Sequence, residues 1–555
     1  MNTVLVAINA KYIHSNLAVY SLRAYADAYK EHIQIAEYTI NQQMDEILID
    51  LYKKQPEILC FSCYIWNIEY VESIVREMKK VLPQTQIWVG GPEVSFDAQN
   101  VLERLPELTG VMMGEGEETF RDLMKYYHGE EIELSQVEGI TYRGEEGNIC
   151  ANAWRKVIDL STVPFVYEDM DDFRNKIIYY ESSRGCPFSC SYCLSSVDKC
   201  LRFRNLELVK KELQFFIDAK VPQVKFVDRT FNCNHKHAME IWRYLMEHDE
   251  GVTNFHFEVA ADLLNEEELN LIEKMRPGLI QLEIGVQSTN ERTIKEIRRT
   301  MRFSEVAEVV NRINAAHNVH QHLDLIAGLP YEDLESFKKS FCDVYVLNPE
   351  QLQLGFLKVL KGSYMDEKKK AYGLVHKSQP PYEVLCTNWL SYKDLLELKL
   401  VENMVEVYYN SGQFSYTLRR LEKVFVSPYE MFLTLGKYYE KKGFSKLSHS
   451  RIGRYEILLD FIKTLETGEE ELYLELLTLD LYLRENVKSR PDFAGDYTVS
   501  KELKRQYGKS VHIEQFRYNV MGTCEKQSLL VLFDYEQRDK LNRQASCKIL
   551  SESLE

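Results

Sequence analysis

Short apolar runs alternate with amphipathic stretches over residues 1 to about 130 of the chain. Runs such as TVLVAI (3–8), IQIAEYT (33–39) and QIWVGG (86–91) predict buried strands, and NIEYVESIVREMKKVL (67–82) has the spacing of a helix with one apolar face. Regular alternation of this kind is typical of a parallel sheet covered by helices on both faces. We therefore predict an α/β chain whose N-terminal domain, residues 1–130, is a doubly wound, Rossmann-like sheet. Ligands of such sheets bind at the carboxyl ends of the strands.

Two further regions follow a predicted linker over residues 131–175, in which GITYRGEEGNICAN has the pattern of a small hairpin. Residues 176–370 alternate again, and their six strand candidates predict a partial (β/α)6 barrel, with its chemistry on the loops after the strands. Long amphipathic stretches dominate residues 375–555. They predict a mostly helical accessory domain, with strand candidates SVHIEQFRYNV and SLLVLFDYEQRD near its end.

Charge and cysteine content narrow the classes of partner. The 68 Lys and Arg residues against 85 Asp and Glu residues give a net charge of −17, which repels phosphate backbones and anionic lipid on average. A nucleic-acid partner is therefore not expected. No stretch approaches the roughly eighteen apolar residues of a membrane span, and the apolar start of the chain is too short for a signal peptide. We expect a cytoplasmic protein with no membrane partner, in which the twelve cysteines are reduced and clustered thiols are metal ligands or reactive groups.

Three of these thiols lie close together in ESSRGCPFSCSYCLSS (181–196). Cys186, Cys190 and Cys193 give the spacing C-x3-C-x2-C on a loop that follows the first strand of the predicted barrel. Three thiolates on one compact loop can hold three corners of a cubane iron–sulfur cluster, which leaves one iron open to a small molecule. The alternatives are three unrelated thiols and a structural zinc site. The candidates for the fourth zinc ligand are Cys200, His235 and His237.

The loop RGCPFSCSYC resembles the signature of the radical S-adenosylmethionine (radical SAM) enzymes, with Tyr192 before the last cysteine. VKFVDRTFNCN, FEVAAD, LEIGVQSTNERTIKEIRR and LIAGLPYED resemble later strand segments of that superfamily, although Gln287 replaces a glutamate and Tyr331 a glycine. The resemblance implies a 4Fe-4S cluster on the three cysteines and S-adenosyl-L-methionine at its open iron, cleaved to a 5′-deoxyadenosyl radical. It implies five candidate SAM-binding residues, namely Tyr192, Asp228, Glu258, Gln287 and Ser288.

The N-terminal domain resembles cobalamin-binding (B12-binding) domains, which have D-x-H-x-x-G after the first strand, then S-x-L, then G-G. Here the matching segments are YIHSNL, SCY and GG, and WVGGPEVS and MGEGEETF also resemble segments of cobalamin-binding radical enzymes. The sequence departs from the motif at Tyr12, Leu17 and Tyr64, so ligation of cobalt by His14 is left open. The implied cobalamin-binding residues are His14, Ser62, Gly90, Gly91, Glu93 and Gly114.

These resemblances imply a cobalamin-dependent radical SAM enzyme, similar to the class B methylases, that transfers a methyl group to an unactivated carbon. Three alternatives stay open: a rearrangement without methyl transfer, an RNA-modifying enzyme similar to methylthiotransferases, and a sensor or scaffold without activity. The RNA-modifying enzymes have a second cysteine trio in the first domain, where this chain has only Cys60 and Cys63 before residue 130. We expect a small-molecule or peptide substrate of unknown identity and an electron donor such as flavodoxin or ferredoxin.

Overall fold

The computed structural model describes residues 1–167, 169–196, 199–495, 507 and 510–550. The chain forms two compact units. The first consists of residues 1–281, 294–301 and 356–388, and the second of residues 282–293, 302–355 and 389–555.

The N-terminal sheet has seven strands in the order β2-β1-β3-β4-β5-β6-β7. Strands β1 to β5 run parallel, as the alternation predicted. The hairpin assigned to the linker is present, but it extends this sheet, with β6 and β7 antiparallel to β5 and to each other. The strands are β1 (Thr3–Asn9), β2 (Ile33–Thr39), β3 (Ile58–Ser62), β4 (Gln86–Gly90), β5 (Gly110–Met112), β6 (Ile140–Arg143) and β7 (Ile149–Ala151).

Helices separate these strands and form the core with them. Every residue of β1 is buried, since it is an inner strand with both of its faces covered. The predicted helix at 67–82 is confirmed as α3, whose apolar face packs against the sheet through Val71, Ile74 and Val75. The helices are α1 (Leu17–Tyr25), α2 (Met44–Lys54), α3 (Ile68–Val81), α4 (Pro92–Ser95), α5 (Ala98–Arg104) and α6 (Glu117–Tyr127).

The predicted barrel region contains all six expected strands, together with a short ribbon formed by β9 and β10. In the first unit, β11 pairs in parallel with β8 and with β12. Strand β13 begins in this unit and continues in the second unit, where β14 and β15 follow it in order. The strands are β8 (Ile178–Tyr180), β9 (Ser183–Arg184), β10 (Arg202–Phe203), β11 (Gln223–Phe226), β12 (Asn254–Val259), β13 (Ile280–Gln287), β14 (His320–Ala327) and β15 (Gln351–Phe356).

Amphipathic helices follow the barrel strands, and a connecting segment, residues 356–388, closes the first unit. This segment contains α13 (Tyr364–Glu367), β16 (Val375–His376) and β17 (Val384–Cys386). The helices before it are α7 (Leu206–Asp218), α8 (His235–Glu247), α9 (Glu266–Ile272), α10 (Glu291–Glu296), α11 (Phe303–Ala316) and α12 (Leu334–Tyr345).

The C-terminal region is mostly helical, as predicted, and it contains an antiparallel sheet in the order β18-β19-β20. Its first two strands match the two predicted ones, whereas β20 (ASCKIL) was missed because Ser546 and Lys548 interrupt its apolar residues. No helix in the described part of the chain has both the length and the apolar character needed to cross a membrane. The elements are α14 (Tyr392–Met404), α15 (Ser415–Leu421), α16 (Pro428–Lys442), α17 (Arg451–Lys463), α18 (Glu470–Arg484), β18 (Val511–Tyr518), β19 (Lys526–Arg538) and β20 (Ala545–Leu550).

A buried carboxyl on α18 makes the stability of this region depend on pH. Asp480 accepts hydrogen bonds from the backbone amides of Tyr416 (3.0 Å) and Thr417 (2.9 Å) at the start of α15. Burial raises its pKa to about 7 although these amides oppose the shift, whereas an unfolded chain has a value of about 3.9. Between these two values the folded protein binds a proton that the unfolded chain releases, so stability falls as pH rises.

We expect Asp480→Asn to remove this loss of stability, which reaches about 1.4 kcal/mol per pH unit between about pH 4 and pH 7. The asparagine keeps an acceptor for an amide and has no charge to bury. Urea unfolding across this pH range measures the slope. The exposed Asp460 on α17 supplies the control, Asp460→Asn, and an equal slope in Asp480→Asn and wild type would contradict the expectation.

Candidate functional site

The cysteine loop, residues 185–201, leaves β9 and returns through β10. The two strands pair antiparallel, with Arg184 opposite Arg202. Gly185 has a φ of +93°, and a Cβ atom there would lie 2.6 Å from the carbonyl oxygen of Cys200. Glycine therefore allows both the left-handed backbone and the close approach that brings the two ends of the loop together.

The three predicted cluster ligands lie on this one loop. Cys186 is buried, and Cys190 and Cys193 are half-buried. Burial and, to a smaller extent, the neighbouring thiols raise the pKa of the Cys186 thiol, and Oγ1 of Thr230 lies 3.9 Å from its sulfur. The amide of Cys193 donates to the carbonyl of Cys190 (3.2 Å), which places these two residues in a single turn. A donor set of three thiols fits an iron–sulfur cluster.

The histidines of the zinc alternative are oriented by other groups. Nδ1 of His235 lies 3.0 Å from Oε1 of Glu268, and Nε2 of His237 lies 3.1 Å from Oγ of Ser182. Burial lowers the pKa of His237 to about 4, so this ring is neutral. Neither contact involves a cysteine thiol, so these contacts give no support to a zinc site that uses His235 or His237.

Arg299 is a member of this site that the sequence analysis did not assign. Its Nη1 lies 3.3 Å from the hydroxyl of Tyr192 and 3.9 Å from the sulfur of Cys190. Two residues earlier, the carbonyl of Ile297 accepts from the amide of Ser191 (3.0 Å). The signal in the sequence was the pair Arg298 and Arg299 at the end of LEIGVQSTNERTIKEIRR. Such a pair is by itself typical of a solvated helix end.

Asp228, a predicted SAM-binding residue, is fully buried and holds the strand that leads into the cysteine loop. Its carboxylate accepts from the amide and the hydroxyl of Ser182 (2.9 and 2.7 Å) and from the hydroxyl of Ser183 (2.6 Å). Burial raises its pKa to about 6, although the serines oppose this shift. A carboxylate with three internal donors has a structural task, and its role toward SAM stays a prediction.

The remaining SAM-binding candidates fall in different units. Glu258 lies on β12 in the first unit, and Gln287 and Ser288 lie in the second. Gln287 has a φ of +70°, and among the described residues its buried Oε1 has no hydrogen-bond partner. The hydroxyl of Ser288 donates to Oε1 of Glu332 (2.6 Å). Burial raises the pKa of Glu332 to about 7, and the sequence analysis missed this residue within LIAGLPYED.

The predicted cobalamin-binding residues gather mainly at the carboxyl edge of the N-terminal sheet. Ser62 and Gly90 are register partners at the ends of β3 and β4. Gly91 has a φ of +114°, and a Cβ atom there would lie 2.5 Å from the carbonyl oxygen of Cys63. Gly114 follows β5 with a φ of +72°. The two glycines with positive φ make sharp turns at this edge that a side chain would obstruct.

Exposed aromatic rings lie at the same edge. The ring of Trp66 stacks on that of Tyr64, with centroids 4.4 Å apart. The rings of Phe96 and Trp154 lie 6.0 Å apart, and a Cβ atom on Gly114 would lie 3.3 Å from Trp154. Trp66, Phe96 and Trp154 are 43%, 42% and 52% exposed. Open backbone beside flat apolar rings fits a large ligand that has both polar groups and apolar faces.

Two cobalamin-binding candidates of this domain have titratable side chains, His14 and Glu93, and both contact other elements of the first unit. Nδ1 of His14 lies 2.7 Å from the hydroxyl of Tyr179 on β8, and burial lowers the pKa of the imidazole. In the full motif an aspartate orients this histidine. Here the phenol of Tyr179 is the neutral partner of Nδ1. Glu93 is buried and accepts from the hydroxyl of Tyr382, with Nζ of Lys361 at 3.6 Å. Both of these partners belong to the connecting segment.

Three family models match the chain. They are the B12 binding domain over residues 3–124, the radical SAM superfamily over residues 180–342, and a protein of unknown function (DUF4080) over residues 370–506. The chain thus contains a B12-binding domain followed by a radical SAM domain, as the two resemblances predicted.

Several named proteins are similar to this chain over part of its length. The cobalamin-dependent radical SAM methyltransferase TokK of Streptomyces tokunonensis is 27% identical, over 58% of this chain and 50% of that one. The anaerobic magnesium-protoporphyrin IX monomethyl ester cyclase of Cereibacter sphaeroides is 20% identical, over 55% of this chain and 52% of that one. This chain therefore spans about half the length of these curated relatives. The structure of OxsB, a cobalamin-dependent S-adenosylmethionine radical enzyme with aqua-cobalamin and S-adenosylmethionine bound, has a TM-score of 0.60 and 19% identity, and it covers 86% of this chain and 79% of that one.

We expect Asp228→Ala to lower the free energy of unfolding by about 2–4 kcal/mol, because it leaves buried donors of Ser182 and Ser183 without an acceptor. Asp228→Asn keeps one acceptor oxygen and should cost less. Urea unfolding of the protein without its cluster and without SAM measures the change in free energy of unfolding for both variants. Asp218→Ala, at an exposed helix end, is the control and should change stability by less than about 0.5 kcal/mol. Wild-type stability in Asp228→Ala would refute this structural role.

Proposed function

We propose that this radical SAM protein is a cobalamin-dependent enzyme that transfers a methyl group to an unactivated carbon. The observation that carries the proposal is the presence, in one compact unit, of three thiols on a single loop and of a glycine-turned sheet edge with exposed aromatic rings. The B12-binding and radical SAM matches and the name of TokK support it. When bound, the cluster and SAM supply one-electron radical chemistry and cobalamin supplies methyl-group transfer.

In this proposal Cys186, Cys190 and Cys193 hold the 4Fe-4S cluster. Tyr192 and Arg299 lie on and beside the same loop, and the guanidinium is a half-buried cation suited to the carboxylate of SAM. The candidates Glu258, Gln287 and Ser288 complete the proposed SAM-binding set, with Asp228 holding the strand beneath the loop. Gln287 offers an amide oxygen that has no partner among the described residues.

The edge of the N-terminal sheet is the proposed cobalamin site. Ser62, Gly90, Gly91 and Gly114 supply hydrogen bonds and close backbone approach, and the exposed rings of Trp66, Phe96 and Trp154 supply apolar surface. His14 and Glu93 contribute by position, since each is tied to another element of the first unit. We further propose a small-molecule or peptide substrate and a flavodoxin- or ferredoxin-like electron donor.

A second candidate reaction is a rearrangement or cyclisation without methyl transfer. The similarity to the magnesium-protoporphyrin ester cyclase favours it. The RNA-modifying alternative has less support, because the N-terminal domain offers only Cys60 and Cys63 where such enzymes have a cysteine trio. Both side chains are buried in the apolar core around β3.

Anaerobic reconstitution with iron, sulfide and excess hydroxocobalamin, followed by desalting and metal analysis, tests the two cofactor sites. We expect about four irons and one cobalt per wild-type chain. Cys186→Ser, Cys190→Ser and Cys193→Ser should each lose most of the iron and still bind cobalamin at saturating concentration. Trp154→Ala should weaken cobalamin binding and keep the iron.

Cys200→Ser is the matched control and should keep both metals, because Cys200 is exposed at the end of the loop. Iron retained in all three loop variants would refute the cluster assignment. Wild-type protein with iron and no cobalt would refute the cobalamin assignment and leave the cluster assignment intact.

The reaction type is tested with the same reconstituted protein. If the enzyme transfers methyl groups, then incubation with SAM and reduced cobalamin should convert the cobalamin spectrum to that of methylcobalamin and release S-adenosylhomocysteine in equal amount. With a one-electron reductant for the cluster added, a cyclase or mutase should instead release 5′-deoxyadenosine with the cobalamin spectrum unmethylated. That second result would exclude methyl transfer and support the rearrangement.

A further inference from the structure

Four charged side chains fasten the cysteine loop to the N-terminal domain. At the base of the loop, Nη2 of Arg184 lies 2.8 Å from Oε1 of Glu117, and its Nη1 lies 3.4 Å from Oε1 of Glu115. Arg202, directly opposite on β10, forms an ion pair with the same Glu115. Both ends of the loop are therefore held by two neighbouring glutamates, and we name these four residues the clasp.

The clasp is largely withdrawn from water. Its side chains are between 7% and 21% exposed, and Glu117 is the most buried. Burial alone would raise the pKa of Glu117, but the charge and hydrogen bond of Arg184 outweigh it and lower the pKa. A buried ion pair is costly to break on one side, because the remaining charge is left without a partner. The clasp therefore acts as a firm connection, unlike an exposed surface salt bridge.

The other end of the clasp lies in the proposed cobalamin site. Glu115 directly follows Gly114, and Glu117 begins α6 one residue after Gly116. The amide of Gly114 donates to Oγ of Ser95 (3.2 Å), and Oε2 of Glu115 accepts from the amide of Ile158 (2.9 Å). Glu115 is thus held next to the glycine loop, residues 114–116, and Glu117 at the start of α6, so a change in that loop moves the carboxylates that hold the cysteine loop.

We propose that the clasp couples the two cofactor sites, so that cluster binding strengthens cobalamin binding and cobalamin binding orders the cysteine loop. This inference rests on the proposed function. A ligand that fixes one loop reduces the conformational freedom of any loop rigidly joined to it, and a second ligand then meets a smaller ordering cost. Coupling of this kind is reciprocal, since each ligand changes the affinity for the other by the same factor.

Equilibrium dialysis with hydroxocobalamin measures the coupling. We expect wild-type protein with a reconstituted cluster to bind cobalamin at least about fivefold more tightly than the triple variant Cys186→Ser/Cys190→Ser/Cys193→Ser. With Glu115→Gln/Glu117→Gln added to both proteins, this ratio should fall to about one. Glu118→Gln is the matched control on the same helix, because Glu118 pairs with Arg121 and Arg155 outside the clasp, and it should leave the ratio unchanged.

Hydrogen exchange supplies a second readout that does not depend on the variants. In wild-type protein without a cluster, hydroxocobalamin should slow exchange of the amides of residues 185–196. A ratio near one in the wild-type background, an undiminished ratio in the glutamine background, or no protection of these amides would each overturn the coupling. If no cobalamin binds in any background, the proposed function fails together with it. Equal cobalamin binding with and without the cluster would refute the coupling alone and leave the proposed function intact.

Discussion

The buried ion pairs of the clasp set the distance between the two loops proposed to hold cofactors. Taking carboxylates and guanidinium groups out of water is expensive, and only complete pairing offsets the cost. Glu117 has a second source of stabilisation, since it is the first residue of α6 and lies where the helix dipole favours a negative charge. Arg184 is also held from the barrel side by Glu181 at 2.8 Å. The arrangement therefore ties the glycine loop and the cysteine loop to each other through paired charges.

The connecting segment fastens the cysteine loop from another side and also holds the turn after β4. The amide of Met365 donates to the carbonyl of Ser191 (2.9 Å). Ser191 lies between Cys190, a proposed cluster ligand, and Tyr192. Tyr382 and Lys361 hold Glu93, two residues after Gly91. One short stretch of chain thus touches residues adjacent to both proposed sites. A reaction that needs two cofactors at a fixed separation benefits from such double fastening, because a loose loop would lose the alignment of reacting groups.

Local patterns in the sequence predicted the strands, the helices and the cysteine loop, because each depends on residues close together in the chain. The clasp could not be predicted in this way. Glu115 and Arg202 are 87 residues apart, and surface glutamates and arginines are common throughout the chain. At Asp228 the structure adds a role that the sequence pattern did not indicate: its carboxylate accepts hydrogen bonds from two serines, while its role toward SAM stays a prediction. The hairpin at 140–151 was predicted as a hairpin, but its place on β5 depends on a pairing that no local pattern encodes.

The departures from the cobalamin-binding motif have a physical consequence. In the full motif an aspartate orients the histidine and increases its basicity as a metal ligand. In this chain the corresponding nitrogen of His14 lies against the neutral phenol of Tyr179, and burial with nearby lysines lowers the pKa of the imidazole. A less basic imidazole is a weaker ligand for cobalt. Binding energy for the proposed cobalamin must then come mainly from the glycine turns and from the exposed rings of Trp66, Phe96 and Trp154. Such a site would hold the proposed cofactor by its periphery and would leave the metal without a strong protein ligand at His14.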